Sequence, residues 1–183
     1  MLSRVPLVLL VHPSVPAMTL QEFVAYARAK SGAVNYASPG SGTSNHLYME
    51  ILKGTGGFEM THVPYKGGGP AMNDLLGGQV QAILISVTLG APNVRSGKLR
   101  AVAMSGDKRS AMLPQVPIFA EAGIPDFNPH SWSGLFVPAN VPQPLVQRLH
   151  DEFSQALKDP EVLKRFQDLG AEPMMNSPDQ FAA

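Results

Sequence analysis

The chain has 183 residues, 44% apolar and only 15% charged, a composition that folds and that suffices for one substantial core or two small lobes. Fourteen basic residues balance fourteen acidic ones, and Lys108-Arg109 is the densest basic pair, so nothing favours nucleic acid or a membrane surface as partner. The absence of cysteine excludes thiol catalysis, disulfides and cysteine-ligated metal, and it fits an extracytoplasmic bacterial protein.

Val5–Val11 (VPLVLLV) reads as a buried strand, far too short to span a bilayer and lacking the basic flank of a signal peptide. Thr19-Leu20-Gln21-Glu22 then forms a capping box, with Met18 and Phe23 placed as a hydrophobic staple. The helix it opens carries Leu20, Phe23, Val24 and Ala27 on one face and stops near Gly32. A short strand at Val34–Ala37 leads into the loop Ser38–Ser44 and a helix carrying Leu47, Ile51 and Leu52 that ends at Gly54. Glu59–Tyr65 alternates as a strand does and delivers Lys66-Gly67-Gly68-Gly69-Pro70, so that a third helix runs over Pro70–Leu76.

Val80–Ile85 and Leu99–Met104 read as further strands on either side of a short helix at Leu89–Arg95. Strands alternating with helices of this length imply parallel pairing and a layered α/β fold. The stretch Ser105–Asn128 is rich in loops, with a short helix near Ile118–Ala122, and Trp132–Val137 reads as a strand. A helix from Pro142 carries Leu145, Val146, Leu149, Phe153 and Leu157; a second, capped by Asp159 with Pro160 behind it, carries Val162, Leu163, Phe166 and Leu169. Ser177-Pro178-Asp179-Gln180 starts another helix that Ala183 cuts short, and a buried strand follows almost directly from Met1. Both ends are therefore expected to be cut from a longer protein.

Chemistry concentrates after the strands. Ser38-Pro39-Gly40-Ser41-Gly42-Thr43-Ser44 has two glycines that let the backbone turn and let a ligand approach, hydroxyls throughout, and a helix start behind it. It reads either as an ordinary capped turn or as an uncharged cradle for a carboxylate. No lysine follows the second glycine as a P-loop requires, and Asn45 stands where a dinucleotide fingerprint needs its third glycine. Lys66-Gly67-Gly68 is either a tight turn with a solvated lysine or a second surface of backbone donors. Ser86 and Thr88 follow the next strand on the same edge, to touch a ligand or, for Thr88 by preference, to cap a helix. The histidines lack metal-ligand spacing, no G-x-S-x-G elbow is present, and the carboxylates form no acid–base pair. The chain calls for no catalytic residue, metal or cofactor.

Five segments in order, NYASPGSGTSNHL, HVPYKGGGPAMNDLLGGQVQA, SGKLRAVAMSGDKRSAMLPQVPIFAEAG, SWSGLFVPANVPQPLV and LGAEPMMNSPDQFAA, resemble the Bug family, the extracytoplasmic receptors of tripartite tricarboxylate transporters. The resemblance spans nearly the whole chain. It implies a periplasmic-binding-protein fold of three-layer α/β lobes, with residues 1–131 as the second lobe, carrying half of a ligand cleft, and 132–183 as a return segment of an incomplete first lobe. Ser38–Ser44 matches the family's second-lobe carboxylate contact, with Thr43 and Ser44 at the helix start. Ser86 stands where amino-acid-binding members often carry an acid or amide, which points to a plain mono- or dicarboxylate.

The resemblance further implies a periplasmic location, permease subunits as partners of the full-length protein, and no catalysis. An enzyme or sensory module on the same fold is the alternative, and it would need a positioned base or an output domain. With half a cleft and apolar surface from the missing lobe, the chain is also expected to self-associate.

Overall fold

The computed structural model describes residues 1–182; Ala183 lies outside the described residues. The chain forms two compact units, one of Pro6–Ser131 and one of Met1–Val5 with Trp132–Ala183, and it passes between them at residues 5–6 and 131–132.

The larger unit is built on strands β1 (Ser3–Val11), β2 (Asn35–Ser38), β3 (Thr61–Pro64), β4 (Ala82–Ser86) and β5 (Arg100–Met104), in the order β3-β2-β4-β1-β5. Strand β2 runs parallel to β3 and β4, whereas β1 is antiparallel to both β4 and β5. The expected parallel pairing thus holds among β2, β3 and β4 and fails at β1, which pairs antiparallel with β4 and β5, so the sheet is mixed. Alternation of strands and helices does not report this reversal. The connection after β1 contains Pro13 and Pro16 and buries Val15 and Ala17, a packed segment in which the chain turns before its first helix.

The period of two along β1 sorts its side chains between two helical layers. Leu7, Leu9 and Val11 join the main core with Phe23 of α1 (Leu20–Ala29) and Met49 and Leu52 of α2 (Ser44–Gly56). On the other face Val8 and Leu10 lie under Gly90 of α4 (Val87–Arg95), while Ile85 approaches Gly68 of α3 (Gly68–Leu76). This is a three-layer α/β arrangement.

Local signals set most boundaries. Thr19 and Glu22 form the reciprocal capping box, although Met18 stays 66% exposed and the staple does not bury it. Helix α2 runs past Gly54 to a left-handed cap at Gly57, and it buries Met49 and Leu52 while Leu47 and Ile51 stay exposed. No helix forms near Ile118–Ala122. Ile118 instead bridges to Met104, and a tight turn follows to Gly123 at φ +87°. Arg109 and Asn128 tie this segment down, the first to Glu121 and the second to Asp107 and the Gly106 N–H.

Strand β6 (His130–Ser133) is shorter than expected, and Leu135, Phe136 and Val137 beyond it are exposed and irregular. In the smaller unit Leu2 donates to the Ser133 carbonyl, and Ser3 and Arg4 pair with β7 (Glu172–Pro173), where Arg4 meets Glu172 at 2.7 Å. Helix α5 (Gln143–Ala156) starts beside Pro142, and Asp159 caps α6 (Pro160–Asp168) by accepting from the Glu161 and Val162 N–H groups. Ser177 caps α7 (Pro178–Ala182) in the same way. Helix α5 buries no residue at all, and its apolar face opens onto a recess of about 450 Å³ lined by Leu149, Phe153, Phe136 and Phe181 among others.

Candidate functional site

Because β2, β3 and β4 are parallel, their carboxyl ends Ser38, Pro64 and Ser86 share one edge of the larger unit. Each end feeds a helix, so the N-termini of α2, α3 and α4 gather there with their unpaired N–H groups and positive dipole ends. In open α/β sheets this edge is where ligands bind.

The first loop is held by its own donors. The Ser38 hydroxyl is fully buried, donates to the Gly40 carbonyl at 3.0 Å, accepts from the Gly40 N–H and lies 2.7 Å from Nε2 of His62. Thr43 caps α2: its hydroxyl donates to the Gly40 carbonyl at 2.7 Å and accepts from the His46 N–H. Gly42, at φ +77°, donates its N–H to Nδ1 of His46 at 3.1 Å. Four of the sequence candidates, Ser38, Gly40, Gly42 and Thr43, therefore direct these bonds inward and fix the loop's shape. Ser41 is exposed and Ser44 half-buried, and the N–H groups of Ser44 and Asn45 lead the helix. Asn45 turns its amide away to the Leu84 carbonyl, pinning α2 to β4.

The second loop is fastened to the first. Tyr65 and Gly67 donate their N–H groups to the carbonyls of Ser38 and Pro39, and the Tyr65 hydroxyl donates to Asp74 at 2.6 Å. Burial, then that hydrogen bond, push the Tyr65 phenol up to about 12. Gly67 caps α3 with no side-chain bond, at φ +113°, so Gly68 and Gly69 present bare N–H groups while Lys66 points to solvent as an exposed side chain. Ser86, not Thr88, is the cap residue of α4, and its hydroxyl makes no capping bond; Thr88 lies within the helix's first turn. The three loops therefore come together, with Ser38, Gly40, Ser41, Gly42, Thr43 and Ser44 in one, Lys66, Gly67 and Gly68 in the next, and Ser86 and Thr88 in the last.

Beneath the first loop lies a polar cluster that sequence reasoning did not assemble. Tyr36 donates its hydroxyl to Glu50, and Lys53, only 9% exposed, donates to both Glu50 oxygens at 3.0 and 2.8 Å and sits 5.8 Å from the Tyr36 ring. The rings of His46 and His62 stack at 4.0 Å, with Tyr36 4.9 Å from His62. Burial, then the neighbouring His46 and Lys53, hold the His62 imidazole below its ordinary value against the pull of Glu50. Burial raises the Glu50 carboxyl, but the hydrogen bonds from Lys53 and Tyr36 and nearby positive charge outweigh it and leave it low. The signal for this cluster is the β2–β3 register, which sets Tyr36 opposite His62 and becomes readable only once the pairing is known.

Such an edge can hold an anion with neutral donors. Its serine–histidine contact, Ser38 with His62, is buried and engaged with Gly40, and the exposed contact of Ser14 with His12 lies outside the three loops. Two recesses open elsewhere, one in the smaller unit and one among α1, α2 and residues 122–127. No helix among the described residues is long and apolar enough to cross a membrane.

Comparison with known proteins finds relatives in both sequence and fold. BugT of Bordetella pertussis is 34% identical over 98% of this chain and 55% of its own. The structure described as R. palustris Rpa4515 with adipate superposes with a TM-score of 0.90 at 30% identity, covering 99% of this chain and 60% of that one. MatC from Rhodopseudomonas palustris with bound malate gives a TM-score of 0.85 at 32% identity, over 97% and 60%. The chain thus spans about half the length of the curated relatives it matches. The model of the tripartite tricarboxylate transporter family receptor matches residues 1–183 end to end, and with these relatives it places the chain in that family.

Proposed function

We propose that the chain is the ligand-carrying part of an extracytoplasmic receptor that captures a small organic carboxylate without transforming it. The observation that carries this reading is the convergence of three helix N-termini on one sheet edge, with uncharged donors and two loops bonded to each other. Ser41, Ser44, Asn45, Gly68 and Gly69 supply the N–H groups, and Ser86 a hydroxyl. Ser38, Gly40, Gly42 and Thr43 act one step back, by shaping the loop.

A serine at position 86 offers no charge for an ammonium group, which favours a plain mono- or dicarboxylate over an amino acid. The adipate and malate of the two similar structures are of that class. In the whole protein, residues beyond this chain complete the site, the location is periplasmic, and the partners are the permease subunits of a tripartite tricarboxylate transporter. The exposed face of α5 gives this chain alone a tendency to self-associate. Calorimetry on the full-length protein with adipate, malate and a set of amino acids tests the ligand class. Binding of the simple acids without turnover is expected; tight binding of amino acids and none of simple acids sinks it.

A further inference from the structure

The side of the edge formed by α3 and α4 is apolar as well as donating. Helix α3 begins with Gly68 and Gly69 behind the cap Gly67, so its start brings N–H groups and no side chain. Leu89, the third residue of α4, fills that gap. Its Cδ1 lies 3.1 Å from the point where a Cβ on Gly68 would stand, with Cδ1 of Ile85 at 3.4 Å from the same point. Glycine at position 68 thus lets the leucine lie across the start of α3; an alanine there would make it give way. Ile85 beneath is 2% exposed, whereas Leu89 stays 49% exposed.

A half-exposed leucine by itself means little. This one has a particular place, beside backbone donors that glycine leaves open, on the edge where β2, β3 and β4 end. A carboxylate on the Gly68 and Gly69 N–H groups has its neighbouring carbons close to this side chain. Methylenes gain there by leaving water. A hydroxyl in the same place gives up its water and meets no partner, because neither the leucine nor the glycines carry a polar side chain.

We propose that Leu89 sets ligand choice at this edge, favouring a carboxylate with an unsubstituted hydrocarbon chain over its hydroxy-acid counterpart. The inference rests on the carboxylate reading above and narrows it. It also separates the acids of the two similar structures, since adipate carries no hydroxyl and malate carries one.

Calorimetry on the full-length protein at about pH 7.5, where every carboxyl of the probes is ionised, tests this with pairs that differ by one hydroxyl. The probes are succinate against malate, and adipate and butyrate against their α-hydroxy derivatives. In each pair that binds, the unsubstituted acid should bind about tenfold more tightly. Leu89→Asn, similar in size and able to bond a hydroxyl, should bring the two within about twofold, whereas Leu89→Met should keep the preference. Equal or tighter binding of the hydroxy acids by the wild type, as a bond from the Ser86 hydroxyl would give, overturns the proposal. A preference that survives Leu89→Asn overturns it too, and in both cases the carboxylate reading stands. Binding of none of these acids removes the carboxylate reading itself, and the role of Leu89 falls with it.

Discussion

Gly67 carries a conformation that few other residues tolerate, φ +113° with ψ 170°, while its N–H joins the second loop to the first. Gly67→Ala should cost about 1–3 kcal/mol by urea denaturation, because the strain is local and nothing lies within reach of the new Cβ to compensate or worsen it. Glu50 and His62 both titrate lower in the folded chain than outside it, so each gives stability that is present at neutral pH and lost in acid. The loss begins below the ordinary 6.5 of an imidazole for His62 and below 4.5 for Glu50, and continues to the folded values. His62→Gln should remove the upper limb of the stability–pH curve. Glu50→Ala, by leaving the buried Lys53 ammonium with Glu59 at 3.6 Å and the Tyr36 ring at 5.8 Å, should cost about 1–3 kcal/mol at neutral pH. The glycines of the first loop were legible in the sequence because turn chemistry is local. The bonds to His46 and His62 were not, since one depends on ring orientation and the other on a partner strand.

At the scale of elements, the interior glycine of α4 reverses the usual rule. Alanine is ordinarily favoured over glycine in a helix by about 1 kcal/mol. At Gly90, however, a Cβ would stand 2.9 Å from Val8 and 3.0 Å from Leu10, both fully buried in β1. Gly90→Ala should therefore destabilise by about 1–3 kcal/mol on thermal unfolding. Helix α5 shows the opposite situation, with Leu145, Leu149 and Phe153 one turn apart at i, i+4 and i+8 and none of them buried. Light scattering at rising concentration should show self-association, and Leu145→Asp with Phe153→Asp should suppress it while leaving the melt of the larger unit unchanged. Caps were the most readable features: Thr19, Thr43 and Asp159 each stand where their side-chain chemistry places them. Short aromatic runs were the least readable, because Trp132–Val137 has strand-forming residues but pairs only as far as Ser133.

For the molecule as a whole, the order of elements from β1 to β5 and the layered α/β arrangement followed from hydrophobic periodicity, the helix expected near Ile118–Ala122 and the strand β7 did not, and the combined segments identified the family. Direction within the sheet did not follow. Periodicity says that Val5–Val11 is buried on both faces, which a parallel or an antiparallel central strand satisfies equally. What decides between them is a connection whose path depends on packing of Val15 and Ala17, and no local pattern encodes that.

The position of β1 also bears on synthesis. Its neighbours β4 and β5 both come later in the chain, the second ending only at Met104. A nascent chain shorter than that exposes a strongly apolar strand with one or both edges unpaired, a template for intermolecular pairing. The ribosome must therefore complete more than half of this sequence before that strand is covered on both edges, so early chain release adds a route to aggregates that the finished larger unit closes.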